Sequence, residues 1–275
     1  MPPFIEIRGL EHAYPLDGGG QVAALCGIDL TIARGEFVAI VGPNGSGKST
    51  LARHLNALLL PTAGEVWVDG LLTAEQRNLW AVRQRVGMVF QNPDNQIVAS
   101  TVEEDVAFGP ENAALPSAEI RQRVDEALET VGLADYRTRP PQMLSGGQRQ
   151  LLAIAGVLAI RPAGIVFDEP ASMLDPLSRR QVLATIQRLN GGGLTVVLIT
   201  QAMDEAAAAQ RVLVMDAGRI VMDGPPAEVF EQGARLRELG LDLPPAVEMA
   251  HGLRERGVPL SPGLLTVEQL ARALC

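Results

Sequence analysis

Gly42-Pro43-Asn44-Gly45-Ser46-Gly47-Lys48-Ser49-Thr50 follows an apolar run, residues 37–41, and precedes a helix-compatible run, residues 51–60. This is the G-x-x-x-x-G-K-[ST] pattern in the strand–loop–helix setting that it requires. Glycines let the backbone curl until several N–H groups point at one anion, and the following helix adds its positive end. Lys48 is placed to reach the β- and γ-phosphates of a nucleotide, and the Ser49 hydroxyl to ligate Mg²⁺. Gly42, Asn44, Gly45, Ser46, Gly47, Lys48, Ser49 and Thr50 are therefore the expected ATP-binding residues.

Composition bounds the rest. The chain has 275 residues, enough for one large domain and a small appendage, and 47% are hydrophobic, which supplies a core. A net charge of −9 disfavours nucleic acid as an obligate partner and otherwise favours solubility. Cys26 and Cys275 make no disulfide framework, which fits a reducing cytoplasm. The start, Met1-Pro-Pro-Phe-Ile-Glu, has neither a basic region nor an apolar core, so no signal peptide is expected. The apolar runs 51–61 and 151–160 fall short of the ~18 residues read as a spanning segment. A membrane location would need partners.

Short apolar runs predict strands at 4–10, 22–32 and 37–41, with Asp17-Gly18-Gly19-Gly20 as a hairpin tip. Pro61-Thr-Ala-Gly64 stops the first helix, and 65–69 and 86–90 read as strands. Residues 101–135 read as helical, with a start at Ser117, and a further helix follows Gly147. Buried-type strands at 164–167, 195–200 and 212–215 alternate with helices, which means a parallel sheet with helices on its faces, an α/β fold. Composition shifts near residue 240. Leu243-Pro244-Pro245 reads as a linker before helical segments at 246–256 and 266–274.

Gly164-Ile-Val-Phe-Asp168-Glu169-Pro170 is a buried strand ending in two carboxylates, at the end where α/β sheets place ligands. Asp168 is expected to hold Mg²⁺ through water and Glu169 to polarise the attacking water; the plain alternative is a solvated strand end. Leu144-Ser145-Gly146-Gly147-Gln148 reads as an anion-binding helix start or as an ordinary cap. It lies about 20 residues before the carboxylate strand and about 100 after the phosphate loop.

In that order these motifs resemble an ATP-binding-cassette (ABC) ATPase subunit, over residues 4 to about 232. The resemblance implies a P-loop fold with an antiparallel β subdomain, a helical subdomain at about 92–160 within an ATPase domain of residues 1–240, and a helical extension at 241–275. It implies a head-to-tail pairing with a second ABC ATPase, in a homodimer or heterodimer. Ser145, Gly146, Gly147 and Gln148 of one copy would cover the ATP held by Lys48 of the other, and Asp175 would link the two sites. It gives Gln91 a contact with Mg²⁺ and the γ-phosphate. Tyr14 would stack on adenine, or is a turn tyrosine.

The string Gln91-Asn-Pro-Asp-Asn95-Gln96 and its continuation through Asn112 resemble the ATPases of energy-coupling-factor (ECF) importers, as does the tail from Pro245 to Leu270. The tail would help to hold the two ATPases together. The resemblance implies a peripheral place on the cytoplasmic face of the membrane, a transmembrane coupling protein contacting the stretch from Gln91 to Asn112, and a separate membrane protein binding a vitamin or a transition-metal ion. Glu103, Glu104 and Asp105 either answer a helix dipole or receive arginines from that coupling protein. The alternatives are a conventional ABC importer ATPase and a soluble ABC ATPase without a transport role.

One position departs from the family pattern. Gln201 stands where a histidine is expected after the strand at 195–199. A glutamine amide can donate to a phosphate but cannot carry a proton charge. Losing a preorganised donor can cost ~10²–10³ in rate, so slow hydrolysis at this chain's own site is expected, unless Gln201 is adequate. His12, His54 and His251 offer no replacement and are expected to be structural.

Overall fold

The computed structural model describes residues 2–16 and 18–275. Met1 and Asp17, read above as the chain start and part of a hairpin tip, lie outside the described residues.

A six-stranded sheet has the order β10-β9-β3-β8-β7-β6. Its strands are β3 (Phe37–Val41), β6 (Val86–Val89), β7 (Gly164–Asp168), β8 (Thr195–Ile199), β9 (Arg211–Asp216) and β10 (Arg219–Gly224). All pairings are parallel except β9 with β10. A second, antiparallel sheet has the order β2-β1-β4-β5, from β1 (Ile5–Pro15), β2 (Gln21–Ile32), β4 (Ala63–Val68) and β5 (Leu71–Leu72). Helices α1 (Lys48–Leu55) and α2 (Leu79–Arg85) lie between strands of the first half. A helical layer follows: α3 (Val102–Asn112), α4 (Ser117–Val131), α5 (Gly146–Leu158) and α6 (Pro176–Gly191). The short α7 (Met203–Ala206), α8 (Pro226–Glu231) and α9 (Gly233–Glu238) lead to α10 (Pro245–Glu255) and α11 (Val267–Leu274).

The continuous apolar strands follow from burial on both faces. Along β3, Phe37, Ala39 and Val41 join a core with Val102, Leu152 and Val182 of the helical layer. The intervening Val38 and Ile40 join a second core with Leu51 of α1 and Ile5 and Val66 of the antiparallel sheet. The two-residue period of a strand thus divides the interior into two cores, with the sheet as the partition.

Several boundaries differ from the sequence reading. The first strand continues past 10 to Pro15, because a bulge with Gly9 at φ 54° shifts the pairing between Ile7 and Leu10 and breaks the alternation. Gly18, Gly19 and Gly20 complete the turn with positive φ, and Leu16 N–H donates to the Gly20 carbonyl. Helix α1 stops at Leu55 rather than near residue 60, where Ala57 turns to φ 54°. Within 101–135 the expected start at Ser117 holds: α3 ends before it, with Ala114 at φ 53°, and Pro116 is the cap residue of α4.

The stretch read as a linker is packed. Leu241 and Leu243 are buried in the helical-side core, and Val247 of α10 joins them. The last helices add a small core of Ala250, Leu260 and Leu270. Thr266 and Gln269 close a capping box at the start of α11. Among the described residues, no helix is long and apolar enough to cross a membrane.

Glu231, at the end of α8, is the polar anchor of this tail. Its carboxylate accepts from Arg254 Nη2 at 2.9 Å and from Gly263 N–H at 3.1 Å, and His251 Nε2 lies at 3.2 Å. Burial acts to raise the Glu231 pKa, but the Arg254 and Gly263 donors and the Arg254 and His251 charges outweigh it and hold the carboxyl below its ordinary value. A depressed carboxyl contributes stability that is full above the ordinary carboxylate range and is lost as pH falls through the lowered value. Amide protection factors across 245–274, measured against the intrinsic exchange rate at each pH, should therefore fall on acidification while β7 and β8 stay protected. Glu231→Gln should show the lower tail protection already at neutral pH and respond less to acid; an unchanged tail in that variant would refute the anchor.

Candidate functional site

The loop after β3 is shaped from outside by backbone. Gly42 has φ 154°, and a Cβ there would lie 2.2 Å from the Met215 carbonyl oxygen. Gly47, at φ 100°, would place a Cβ 2.5 Å from the Ala24 carbonyl oxygen. The turn between β9 and β10 completes the enclosure, with Gly218 N–H donating to the Ser46 carbonyl at 3.0 Å. Neither contact tolerates a side chain. Inside the loop Lys48 is buried and donates to the carbonyls of Gly42 and Pro43 at 2.8 and 2.9 Å. Ser46 Oγ is buried without a hydrogen-bond partner. Burial lowers the Lys48 pKa, and the charges of Glu169 and Asp168 oppose it.

Three more strands parallel to β3 deliver the remaining groups to the same edge. From β7 come Asp168, buried, and Glu169, which adopts φ 50°. Ser49 Oγ donates to Asp168 Oδ1 at 3.0 Å. Burial raises the Asp168 pKa, opposed by the Ser49 hydrogen bond. Beyond β8, Gln201 Nε2 donates to Glu169 Oε1 at 2.7 Å and to Asn44 Oδ1 at 3.0 Å. Beyond β6, Gln91 Nε2 donates to Glu169 Oε2 at 3.2 Å and to Ser172 Oγ at 3.1 Å. The Glu169 carboxylate is thus held between two neutral amides, one on each oxygen.

The structure therefore brings together Asn44, Lys48, Ser49, Gln91, Asp168, Glu169 and Gln201. Tyr14 joins them at one remove, its hydroxyl 3.2 Å from Thr50 Oγ1. Gly45 and Ser46 form the loop crest. The second expected group stands apart. Ser145 caps α5, its hydroxyl accepting from Gln148 N–H, with the reciprocal Gln148 contact. Asp175 caps α6 by accepting from Leu177 and Ser178 N–H; the Ser178 hydrogen bonds lower its pKa. Gly147 lies against Ser178, where a Cβ would come within 2.5 Å, so the starts of α5 and α6 form one surface with Gly146.

Asp105 departs from the acidic-patch expectation. It is buried, and its Oδ1 accepts from Val98 and Ala99 N–H at 2.7 and 3.1 Å, so it fixes a loop rather than standing free on the surface. Glu104 is partly committed to a capping box with Thr101. His12 and His54 are buried and meet edge to face at 4.8 Å; burial, and then the charge of His12, push the His54 pKa down to about 4. Sequence reasoning assigned no role to Ser172, Met215, Gly218, Thr200, Glu205 or Arg179. Ser172, Met215, Gly218 and Arg179 act through contacts distant in sequence, and the Thr200–Glu205 contact, though local, follows no spacing rule.

The Ser49 hydroxyl and Asp168 carboxylate are the hard oxygen donors that Mg²⁺ takes, and the loop leaves no room for a Cβ at Gly42 or Gly47, beside the buried and unpartnered Ser46 hydroxyl. A phosphate cradle at a parallel strand end, beside an acidic pair and apart from a capped glycine-rich helix start, defines an ATP-binding-cassette ATPase. Comparison with known proteins narrows the class. Residues 25–172 match the ABC transporter family. The chain is 62% identical, over 99% of its length and 97% of the relative's, to the energy-coupling factor transporter ATP-binding protein EcfA1 of Symbiobacterium thermophilum. It is 50% identical, over 98% and 96%, to the cobalt import ATP-binding protein CbiO of Syntrophus aciditrophicus. Its fold matches cbiO1 from Clostridium perfringens, part of the ABC transporter complex cbiONQ, with a TM-score of 0.77 and 35% identity over 91% of this chain and 100% of that one. It also matches the ATP-binding cassette MJ0796, in a dimeric structure bound to ADP and Pi, with a TM-score of 0.72 and 32% identity over 81% and 98%. The chain belongs to the ABC transporter family, among the ATP-binding subunits of energy-coupling factor transporters.

Gly42→Ala tests the enclosure of the loop. A methyl against the Met215 carbonyl should cost about 2–3 kcal/mol and lower Tm by roughly 5–10 °C. ATP affinity should fall with it. Wild-type melting and affinity in this variant would show that the loop is not held as described.

Proposed function

We propose that this subunit binds and hydrolyses ATP with Mg²⁺ at the Lys48 site, as one half of a dimer on the cytoplasmic face of the membrane. It would drive uptake of a vitamin or transition-metal ion through membrane partners. The observation that carries the coupling is the Gln91–Glu169 hydrogen bond. Gln91 touches the hydrolytic carboxylate and also opens the 91–112 stretch, where Val98 and Phe108 are exposed. A cobalt import protein and a cbiONQ component among the similar proteins support this reading.

The roles follow from placement. Lys48 and the loop N–H groups bind the phosphates. Ser49 and Asp168 would hold Mg²⁺, with Gln91 beside them; when bound, the ion neutralises charge on the phosphate oxygens. Glu169, fixed by two amides, takes the proton of the attacking water. Tyr14 stacks on the base. Ser145, Gly146, Gly147 and Gln148, with Asp175, present a surface to the nucleotide of the other subunit. Residues 1–240 are the ATPase domain, and 241–275 an extension that contributes to dimerisation.

Gln201 supports slow turnover. Its two amide hydrogens are already shared between Glu169 and Asn44, so donating to a phosphate means giving one up, and the side chain carries no charge to compensate. Gln201→His should raise kcat severalfold with little change in ATP affinity, read by steady-state ATPase assay. No gain would end the slow-site reading.

A groove of about 520 Å³ between α3 and α4 carries Glu103, Glu104, Glu111 and Asp125 against Arg121 and Arg137, and this excess of carboxylates suits a basic segment of the coupling protein. The test is a mild-detergent pull-down from native membranes with partners identified by mass. A second ATPase, a transmembrane protein and a small substrate-binding membrane protein are expected, and Glu103→Lys with Glu111→Lys should lose the transmembrane protein while keeping ATP binding. Recovery of ribosomes or of no membrane protein would overturn the transport reading.

A further inference from the structure

Glu205 is a carboxylate buried close to the reaction centre without facing it; its side chain is 4% exposed. Both of its oxygens are engaged. Oε1 accepts from Arg179 Nε at 2.7 Å, and Oε2 accepts from Thr200 Oγ at 2.5 Å. The Thr200 hydroxyl in turn accepts from Ala202 N–H at 3.0 Å, so one hydroxyl spans the turn that carries Gln201. Thr200 N–H donates to the Ile40 carbonyl, and Glu205 N–H to the Ala202 carbonyl. The backbone on both sides of Gln201 is therefore fixed, which sets where its side chain starts. Arg179 lies in the first turn of α6, its N–H on the carbonyl of the cap residue Asp175, and also reaches Asp204 at 3.2 Å.

Arg179 is 34% exposed, so only the carboxylate of this ion pair is fully buried, and such a pair is a poor source of stability because desolvating the carboxylate offsets its attraction to the guanidinium. What such a pair does supply is fixed geometry, since removing either member leaves an uncompensated charge. Here the fixed geometry joins two places with separate chemistry. One is the start of α6, which forms a common surface with the Ser145–Gln148 turn. The other is the Gln201 amide on Glu169. A cavity of about 300 Å³ lined by Glu169, Ser172, Arg179, Gln201 and Glu205 lies between the two places, with this chain of contacts along one wall.

We propose that Arg179, Glu205 and Thr200 are positioning residues that set the Gln201 amide against Glu169 and tie its position to the start of α6. None of the three touches nucleotide. A shift of α6 when a partner surface docks on its start would be passed through the guanidinium and carboxylate to the Thr200 hydroxyl, and so to the amide that holds the general base. This rests on the roles of Glu169 and Gln201 given above.

The test separates turnover from binding in the full chain. Thr200→Val removes the hydroxyl at nearly the same volume, and Thr200→Ser returns it. Arg179→Met with Glu205→Gln removes both members of the pair together and cuts the tie to α6 without leaving the buried carboxylate unpaired; the other partner of Arg179, Asp204, is exposed to water. Gln201→Ala is measured in parallel. Misplacement of a reacting group costs on the order of 10–100-fold in rate. Thr200→Val and the double variant should both lose kcat by about that factor, with affinity for a non-hydrolysable ATP analogue within about twofold of wild type. Thr200→Ser should recover most of the rate. Wild-type kcat in Thr200→Val and in the double variant, beside a slow Gln201→Ala, would overturn the proposal while sparing the site reading. Wild-type kcat in Gln201→Ala would overturn the site reading, and this proposal with it.

Discussion

The parallel register of β3, β8, β7 and β6 is the constraint on which the site depends. These strands are buried on both faces, so their side chains can do nothing but pack. Polar chemistry is forced to the ends, and a parallel arrangement puts all four C-terminal ends on one edge. The phosphate loop leaves β3, Thr200 and Gln201 leave β8, Asp168 and Glu169 end β7, and Gln91 leaves β6. Groups separated by more than a hundred residues in sequence, such as Ser49 and Asp168, thereby come within hydrogen-bond distance. An antiparallel sheet would send alternate ends to opposite edges and scatter the same residues.

Bringing them together has an electrostatic cost that the site keeps. Lys48 is pressed below its ordinary pKa and Asp168 above its own, both first by burial. Each is partly relieved by polar neighbours, Lys48 by carbonyls of the loop and Asp168 by Ser49. The loop cannot relax away from this arrangement, because Met215, Ala24 and Gly218 press on its backbone from behind. A cradle rigid before ligand arrives needs little reorganisation when it acts, which is where electrostatic catalysis gains most.

Sequence legibility followed the range of the interactions. The phosphate loop, the carboxylate strand and the capped starts at Ser145 and Thr266 are local patterns, and each could be read from a few neighbouring residues. The bulge at Gly9 could not, since it appears only as a broken alternation that resembles the end of a strand. Asp105 read as surface charge at a helix start; only the fold shows that the 98–99 backbone turns back onto it. The tail read as a linker because Pro244 and Pro245 stand out, while Leu241 and Leu243, which bury it, look like any other leucines. The tie from Arg179 to Glu205 crosses from a helix to a separate turn, and no spacing rule predicts it.

The same buried Asp105 gives the 91–112 stretch its mechanical character. Gln91 would transmit little if the chain beyond it were slack. Instead Gln96 Oε1 accepts from Phe90 N–H at 3.3 Å, Gln96 Nε2 donates to the Ala153 carbonyl, and Gln150 Nε2 donates to the Phe90 carbonyl. Asp105 then fastens residues 98 and 99 to α3. From Glu169 outward, each step is a hydrogen bond to a packed element: Gln91, the Gln96 turn on α5, the Asp105 loop on α3. The segment is therefore a stiff link rather than a tether. This is the property that the coupling proposed for Gln91 requires: a displacement at the carboxylate would reach α3 and the groove beside it through hydrogen-bonded backbone rather than through a slack loop.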